Sequence, residues 1–261
     1  MFSVNHCIWM FICLVIVVIS VLLLKKYRPP LKSVLTWAVI VSMISEAIKI
    51  GSVAKMIPVS SSDSVIPYIT VNHMPLHICS LMIFLILYVR FASDKKKADS
   101  VLTFMYPTCI LGGLGAIVFP SIFSTTISAS QAFIHPVAYQ TFLYHVMLMV
   151  LGIYIKLCGE VPMSRRSFTG SLTAYYMLML LSVYVNSLLA VPAYENGTVS
   201  HLEFAPNFLF TVKSAVPFVN LNSKTGWLIY MLVYALCGVV SFALLFCREL
   251  VAPSSKKEQR S

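Results

Sequence analysis

The chain has 261 residues, of which 59% are apolar and 11% are charged, and its mean hydropathy is +0.86. A soluble domain of this length would leave far more apolar surface than it can bury, so the composition excludes an ordinary water-soluble globular protein. The formal net charge of +10 comes without a nucleic-acid recognition motif, so we expect no nucleic-acid partner. The expected solvent of the fold is lipid.

Seven continuous apolar stretches follow one another along the chain, each about long enough to cross a hydrocarbon core of ~30 Å. The strands of a membrane barrel alternate apolar and polar residues in segments of ~10, so these longer runs predict helices. The sequence predicts an all-α, polytopic, seven-transmembrane-helix bundle, with residues 1–261 as a single integral membrane domain. The predicted spans are 8–24, 35–50, 75–91, 100–120, 136–158, 168–193 and 227–246.

The basic residues between the spans predict the orientation of the bundle, because cytoplasmic connections are rich in Lys and Arg. Fifteen of them fall on one side: Lys25, Lys26, Arg28, Lys32, Arg90, Lys95, Lys96, Lys97, Lys156, Arg165, Arg166, Arg248, Lys256, Lys257 and Arg260. Three fall on the other: Lys55, Lys213 and Lys224. We therefore expect an outside N-terminus, an inside C-terminus and a multi-pass protein of the cell membrane.

Polar side chains within the spans gather at the outer side and outline an outward-opening pocket. Glu46 and Lys49 are three residues apart on one helix face, so they can form a local ion pair. The pair is either interfacial, with Lys49 reaching outward, or part of the pocket wall, with Glu46 available to orient a ligand or a histidine. By contrast, Gly112, Gly113 and Gly115 in the fourth span indicate close packing of helices.

Most of the seven cysteines lie in apolar surroundings, and Cys79 differs from them, in the sequence His77-Ile78-Cys79-Ser80 near the outer end of a helix. A nearby imidazole and first-turn helix dipoles favour a reactive thiolate. On a helix beginning at Pro75, however, His77 and Cys79 would point about 200° apart, so a base for Cys79 must come from another helix. His145 is at a similar outer depth and is the candidate, although such a histidine also serves as a hydrogen-bond partner between helices.

The stretch Pro75-Leu76-His77-Ile78-Cys79-Ser80-Leu81 resembles the Leu-Pro-Leu-His-hydrophobic-Cys motif of the YwaF family of bacterial integral membrane proteins. The segment from Tyr144-His145 to Gly152-Ile153-Tyr154 is similar to the histidine-bearing helix of that family. Asn186, followed after a loop by Asn207-Phe208-Leu209-Phe210, resembles its Asn-Tyr-Met-Tyr-Leu element, although Ala205-Pro206 stands where the family has Gly-Thr.

This family is related to a eukaryotic membrane acyltransferase that moves fatty acyl chains onto ether phospholipids with a cysteine and a histidine. The resemblance implies that Cys79 is the nucleophile and His145 its base, with Asn186 as a polar partner, and that membrane lipids are the partners. His77, Asn186 and Glu46 are the expected substrate-binding residues. We expect no cofactor and assign no metal site.

Two other functions are compatible with the same residues. A seven-helix receptor or small-molecule transporter would use the outward polar pocket for a ligand or a proton, although Asp-Arg-Tyr and Asn-Pro-x-x-Tyr motifs are absent from the sequence. A metal hydrolase would use His73 and His77, which are four residues apart and can share a helix face; Pro75 between them disturbs that geometry.

Reporters fused at Ser3 and at Ser261 are expected to lie on opposite sides of the membrane, Ser3 outside and Ser261 inside, because an odd number of crossings separates the termini. Protection of each reporter from a membrane-impermeant reagent measures its side. Two reporters on the same side would contradict seven crossings.

Overall fold

The computed structural model describes residues 2–59, 64–120, 122–195, 198–212, 214 and 223–251. Over these ranges the chain is mostly helical. The helices are α1 (Val4–Tyr27), α2 (Leu31–Val53), α3 (Ile78–Phe91), α4 (Lys95–Val118), α5 (Ile122–Thr125), α6 (Pro136–Leu157), α7 (Arg165–Leu188), α8 (Lys224–Leu245) and α9 (Cys247–Val251). Short 3-10 turns occupy Val71–His73, Ala129–Gln131 and Phe208–Phe210.

Six of these helices are long and apolar enough to cross a membrane: α1, α2, α4, α6, α7 and α8. The prediction of a polytopic helical membrane protein is confirmed at this level. The third predicted span corresponds to α3, which has only 14 residues. It begins at Ile78 rather than at Pro75, because His77 has an extended backbone and acts as the N-cap.

Capping residues explain why several helices extend beyond the apolar stretches. The Asp94 carboxylate accepts from the backbone N–H of Lys97, and the Ser164 hydroxyl accepts from that of Ser167. Each cap satisfies an N–H that has no intrahelical acceptor. Basic residues predicted to lie in connections therefore form the first turns of α4 and α7.

Two antiparallel hairpins were not expected from the sequence. Strand β1 (Lys55–Pro58) pairs with β2 (Val65–Tyr68), and β3 (Val191–Glu195) pairs with β4 (Thr198–Phe204). The second hairpin shortens the sixth predicted span, because α7 ends at Leu188 and Pro192 in β3 cannot continue a helix. Both hairpins lie in connections on the predicted outer side.

Helix α6 occupies the centre of the bundle and packs against α1, α2 and α4. One apolar core joins α2, α3, α4 and α6, and includes Met82, Met105 and Leu148, which are fully buried. A second core joins α1, α6 and the end of α4 around Trp9 and Phe142. Helices α7 and α8 pack against each other through a smaller cluster around Met179 and Tyr230.

Two glycines allow the backbones of α4 and α6 to approach each other closely. A Cβ atom on Gly113 would lie 2.7 Å from the carbonyl oxygen of His145, and one on Gly152 would lie 2.9 Å from that of Tyr106. Each helix thus contributes a glycine that faces the backbone of the other. Small residues permit such contacts between membrane helices, as the sequence indicated for Gly113. Gly115, in contrast, has nothing within 4 Å of its Cβ position.

Replacing Gly113 with Ala is expected to lower the free energy of unfolding by about 1–3 kcal/mol, the usual cost of an extra atom in a packed interior. The midpoint of thermal unfolding in detergent measures the change. The matched control is Gly115→Ala on the same helix, where the new methyl group meets open space. Equal midpoints for the two variants would contradict the close contact between α4 and α6.

Candidate functional site

A cavity of about 540 Å³ lies among α2, α3, α4, α6, α7 and α8. Four of the five predicted site residues line it: Glu46, His77, Cys79 and His145. These residues come from three separate segments of the sequence, the end of α2, the start of α3 and the middle of α6, so the fold brings them together. Asn186 is not among the lining residues.

Cys79 is the second residue of α3, and its thiol lies against α4. A Cβ atom on Gly112 would lie 3.1 Å from the Cys79 sulfur, so glycine leaves room for this side chain. The backbone of Cys79 is also fixed, because the Tyr144 hydroxyl donates a hydrogen bond of 2.7 Å to its carbonyl oxygen. Tyr144 therefore joins α3 to α6 directly beside His145.

The hydrogen bond of His145 defines its tautomer. Nδ1 lies 2.6 Å from the carbonyl oxygen of Thr141, and a carbonyl oxygen can only accept, so Nδ1 carries the proton. In the neutral ring, Nε2 then holds the free lone pair. Within the described part of the chain, no hydrogen bond joins Nε2 to another residue and none joins His145 to the Cys79 sulfur. The two side chains share the cavity without direct hydrogen bonding.

His77 and Cys79 face the same cavity, so the expectation that they point about 200° apart was wrong. That angle assumed that both residues are helical, whereas His77 is extended at the N-cap of α3, with φ −72° and ψ 150°. The His77 ring contacts Phe208 in a T-shaped arrangement, with 5.0 Å between ring centroids. It also lies 6.1 Å from the ring of Phe210.

Residues of the first turn of α3 line the cavity. The N–H groups of Ile78, Cys79 and Ser80 precede the first helical hydrogen bond, which runs from Leu81 to the His77 carbonyl at 2.9 Å. The N-cap provides no side-chain acceptor for them. Such groups are free to bind a negatively charged oxygen.

Glu46 and Lys49 form the expected ion pair, with 2.7 Å between Nζ and Oε1. Both residues line the cavity, and their side chains are only 25% and 13% exposed, respectively. Lys49 also acts on the segment before α3. There, burial is the main cause that lowers the pKa of His73, and the positive charge of Lys49 lowers that pKa further. The pair therefore gives the cavity a positive and a negative group side by side.

Asn186 holds the segment that covers His77. Its amide nitrogen donates to the carbonyl oxygen of Phe208 and to the hydroxyl of Thr211, each at 3.0 Å, and its amide oxygen accepts from the Phe208 N–H at 2.9 Å. Leu209 and Phe210 in the same segment line the cavity. The direct role predicted for Asn186 in binding substrate stays a prediction; its contacts are those of a positioning residue.

Several contributors were not identified from the sequence. Tyr144 anchors Cys79, and Tyr175 and Tyr234 line the cavity from α7 and α8. Only Tyr144 carried a signal, because it adjoins the candidate base. All seven cysteines are described, and each is a free thiol. Among the described residues, no group of three or more His, Cys, Asp or Glu side chains is arranged to hold a metal ion.

Comparison with known proteins identifies one family. Residues 1–246 match the model of the TMEM164 family, which is a family of membrane proteins. No curated protein and no solved structure gives a significant match. The match confirms that the chain belongs to a family of membrane proteins. The assignment to the YwaF family stays a prediction.

Replacing Asn186 with Leu is expected to destabilise the covering segment, because it removes three hydrogen bonds from a buried site, at a typical cost of about 1–3 kcal/mol. Chymotrypsin should then cleave faster after Phe208 and Phe210. The matched control is Ser187→Ala, because the Ser187 hydroxyl is exposed and, among the residues that the structure describes, bonds only to the Val183 carbonyl. Equal cleavage rates in native protein and Asn186→Leu would contradict this positioning role.

Proposed function

We propose that this chain, which belongs to the TMEM164 family of membrane proteins, is an acyltransferase that moves a fatty acyl chain between phospholipids through a thioester on Cys79. The observation that carries the proposal is the cavity that Cys79 and His145 line together with Ile78 and Ser80, whose backbone N–H groups precede the first helical hydrogen bond of α3. A nucleophile, a base and donors for an oxyanion are the three components that acyl transfer needs.

In the first half-reaction, Nε2 of His145 takes the proton of the Cys79 thiol, and the sulfur attacks the ester carbonyl of a phospholipid. The N–H groups at the start of α3 stabilise the negative oxygen of the tetrahedral intermediate. The carbon–oxygen bond of the ester then breaks, and His145 gives its proton to the departing lysophospholipid alkoxide. The products are a lysophospholipid and an acyl chain bound to sulfur as a thioester.

In the second half-reaction, His145 takes the proton of a hydroxyl on a second lysophospholipid, and the oxygen attacks the thioester carbonyl. The carbon–sulfur bond breaks, and the proton returns to the thiolate of Cys79. The acyl chain is now an ester of the second lipid, and the protein has its original form. Since Cys79 and His145 are not hydrogen-bonded, we expect substrate binding to bring them closer, as often happens at sites without substrate.

The charged pair of the cavity suits a zwitterionic head group. Lys49 can bind the phosphate while Glu46 binds a cationic amine, so each exchanges its present partner for one on the lipid. The His77 ring is available to the glycerol region of the lipid beside Cys79. Apolar residues such as Ile83, Leu111 and Phe242 line the same cavity and suit the acyl chain.

We further propose seven membrane crossings, in which α3 joins the six longer helices as an additional crossing. Its 14 residues rise only ~21 Å, less than the ~30 Å hydrocarbon core. The extended residues before it lengthen the crossing, and His77 lines a cavity, where non-helical backbone is tolerated at membrane depth. Because Lys and Arg are concentrated in the connections on one side, seven crossings lead to an outside N-terminus and an inside C-terminus. The location in the cell membrane stays a prediction.

A receptor or transporter is the alternative from another functional class. The half-buried Glu46–Lys49 pair favours it, since charges within membrane helices often mark ligand or ion sites. Such a protein would keep its function in Cys79→Ser, because ligand binding does not need a thiolate. Lipid profiles of cells with and without the gene separate the two classes, because only an acyltransferase redistributes acyl chains.

Purified protein mixed with phosphatidylcholine that carries an isotope-labelled acyl chain is expected to gain that chain on Cys79. Mass spectrometry of the peptide measures the adduct, and hydroxylamine should release it as a thioester does. Cys79→Ala should form no adduct, and His145→Ala should form it about a hundred- to ten-thousand-fold more slowly.

The matched control is Cys237→Ser, which removes another thiol of the same cavity and should leave the adduct on Cys79 unchanged. An adduct on Cys237 instead of Cys79, or an adduct that forms at the native rate without His145, would contradict the mechanism.

A further inference from the structure

A second, larger opening lies between α3 and α7, with α4 packed against both of them. This groove has a volume of about 1130 Å³ and does not include Cys79 or His145. Most of the residues in its walls are apolar. At its rim, Phe84 is 55% exposed and Met177 is 63% exposed. At the bottom of the groove, the Ser171 hydroxyl donates a hydrogen bond of 3.0 Å to the carbonyl oxygen of Thr103.

One end of the groove is positively charged. Lys95, Lys96, Asp99 and Arg166 line this end, and Lys95 is neutralised by Asp99 at 2.9 Å. Lys96 and Arg166 have no ion pair among the described residues. Two positive charges thus stand at the mouth of an apolar groove without acidic partners.

The start of α7 reinforces this positive end. Helix α7 begins at Arg165 with the neutral Ser164 as its N-cap, so the positive end of its dipole points to this region, whereas the Asp94 carboxylate offsets that of α4. Ser164 and Ser167 also line it, and their hydroxyls lie 3.1 Å apart. Hydroxyl, ammonium and guanidinium donors beside a helix start are the usual partners of a phosphate group.

We propose that the groove binds one anionic phospholipid of the inner leaflet, with its phosphate at Lys96 and Arg166 and an acyl chain against α3, α4 and α7. Charge complementarity selects this occupant, because the unpaired positive charges require an anionic head group and the apolar walls require a hydrocarbon chain. Basic pockets between membrane helices on the cytoplasmic side bind lipid head groups in this manner. The site is separate from the proposed acyl transfer and does not depend on it.

The test uses the full-length protein in nanodiscs of phosphatidylcholine that contain a small fraction of phosphatidylglycerol with a photoreactive acyl chain. Labelling after illumination is mapped by mass spectrometry of peptides. We expect labels on the α3 and α7 residues that line the groove. The double variant Lys96→Gln/Arg166→Gln should reduce this labelling on the order of tenfold, given the contribution of each basic residue near the membrane surface.

The matched control is Lys25→Gln/Lys26→Gln, which removes two positive charges from the last turn of α1 on the same side and should leave the labelling unchanged. A second variant, Ala174→Phe, fills the groove without changing charge and should also reduce labelling. Unchanged labelling in either groove variant would overturn the proposal. An equal loss in the Lys25 and Lys26 control would also overturn it, because attraction to bulk charge would then explain the effect.

Discussion

The close contact between α4 and α6 is the constraint on which the arrangement of the cavity depends. Gly113 lies against the backbone of His145, and the adjacent Gly112 lies against the sulfur of Cys79. Two neighbouring glycines on one helix therefore set the distance of both α3 and α6 from α4. In a membrane, where lipid is as apolar as the side chains, such close backbone packing takes over much of the role that hydrophobic burial has in water.

Two sets of hydrogen bonds hold the site, one from α6 and one from α7 and α8. Cys79 is held through Tyr144, and the ring of His145 is held through Thr141. The covering segment from Phe208 to Thr211 lies over His77 and is held from α7 and α8. Asn186 bonds to Phe208 and Thr211, the Tyr230 hydroxyl donates a hydrogen bond of 2.7 Å to the Phe210 carbonyl, and the Trp227 ring N–H donates one of 2.8 Å to the Thr211 carbonyl. Cys79 and His145 are thus held by α6, whereas the segment over His77 is held by α7 and α8.

The sequence predicted the helices better than the connections, for a physical reason. Long apolar stretches admit one structure in lipid, whereas the strands of β1 to β4 are short and carry no strong alternation. Cys79 and His145 could be found because a polar residue within an apolar stretch is conspicuous. The orientation of His77 could not be predicted, because it depends on where α3 begins. The contacts of Asn186 could not be predicted either, because they depend on a segment 22 residues away.

The most direct measurement of the central claim is the rate at which a lipid-like electrophile alkylates Cys79 in native protein and in His145→Ala. Cys237 in the same molecules reports access to the cavity, which it also lines. The account predicts that loss of His145 slows the reaction of Cys79 by about a hundred- to ten-thousand-fold, while the reaction of Cys237 stays the same. Equal rates for Cys79 in the two proteins would contradict it.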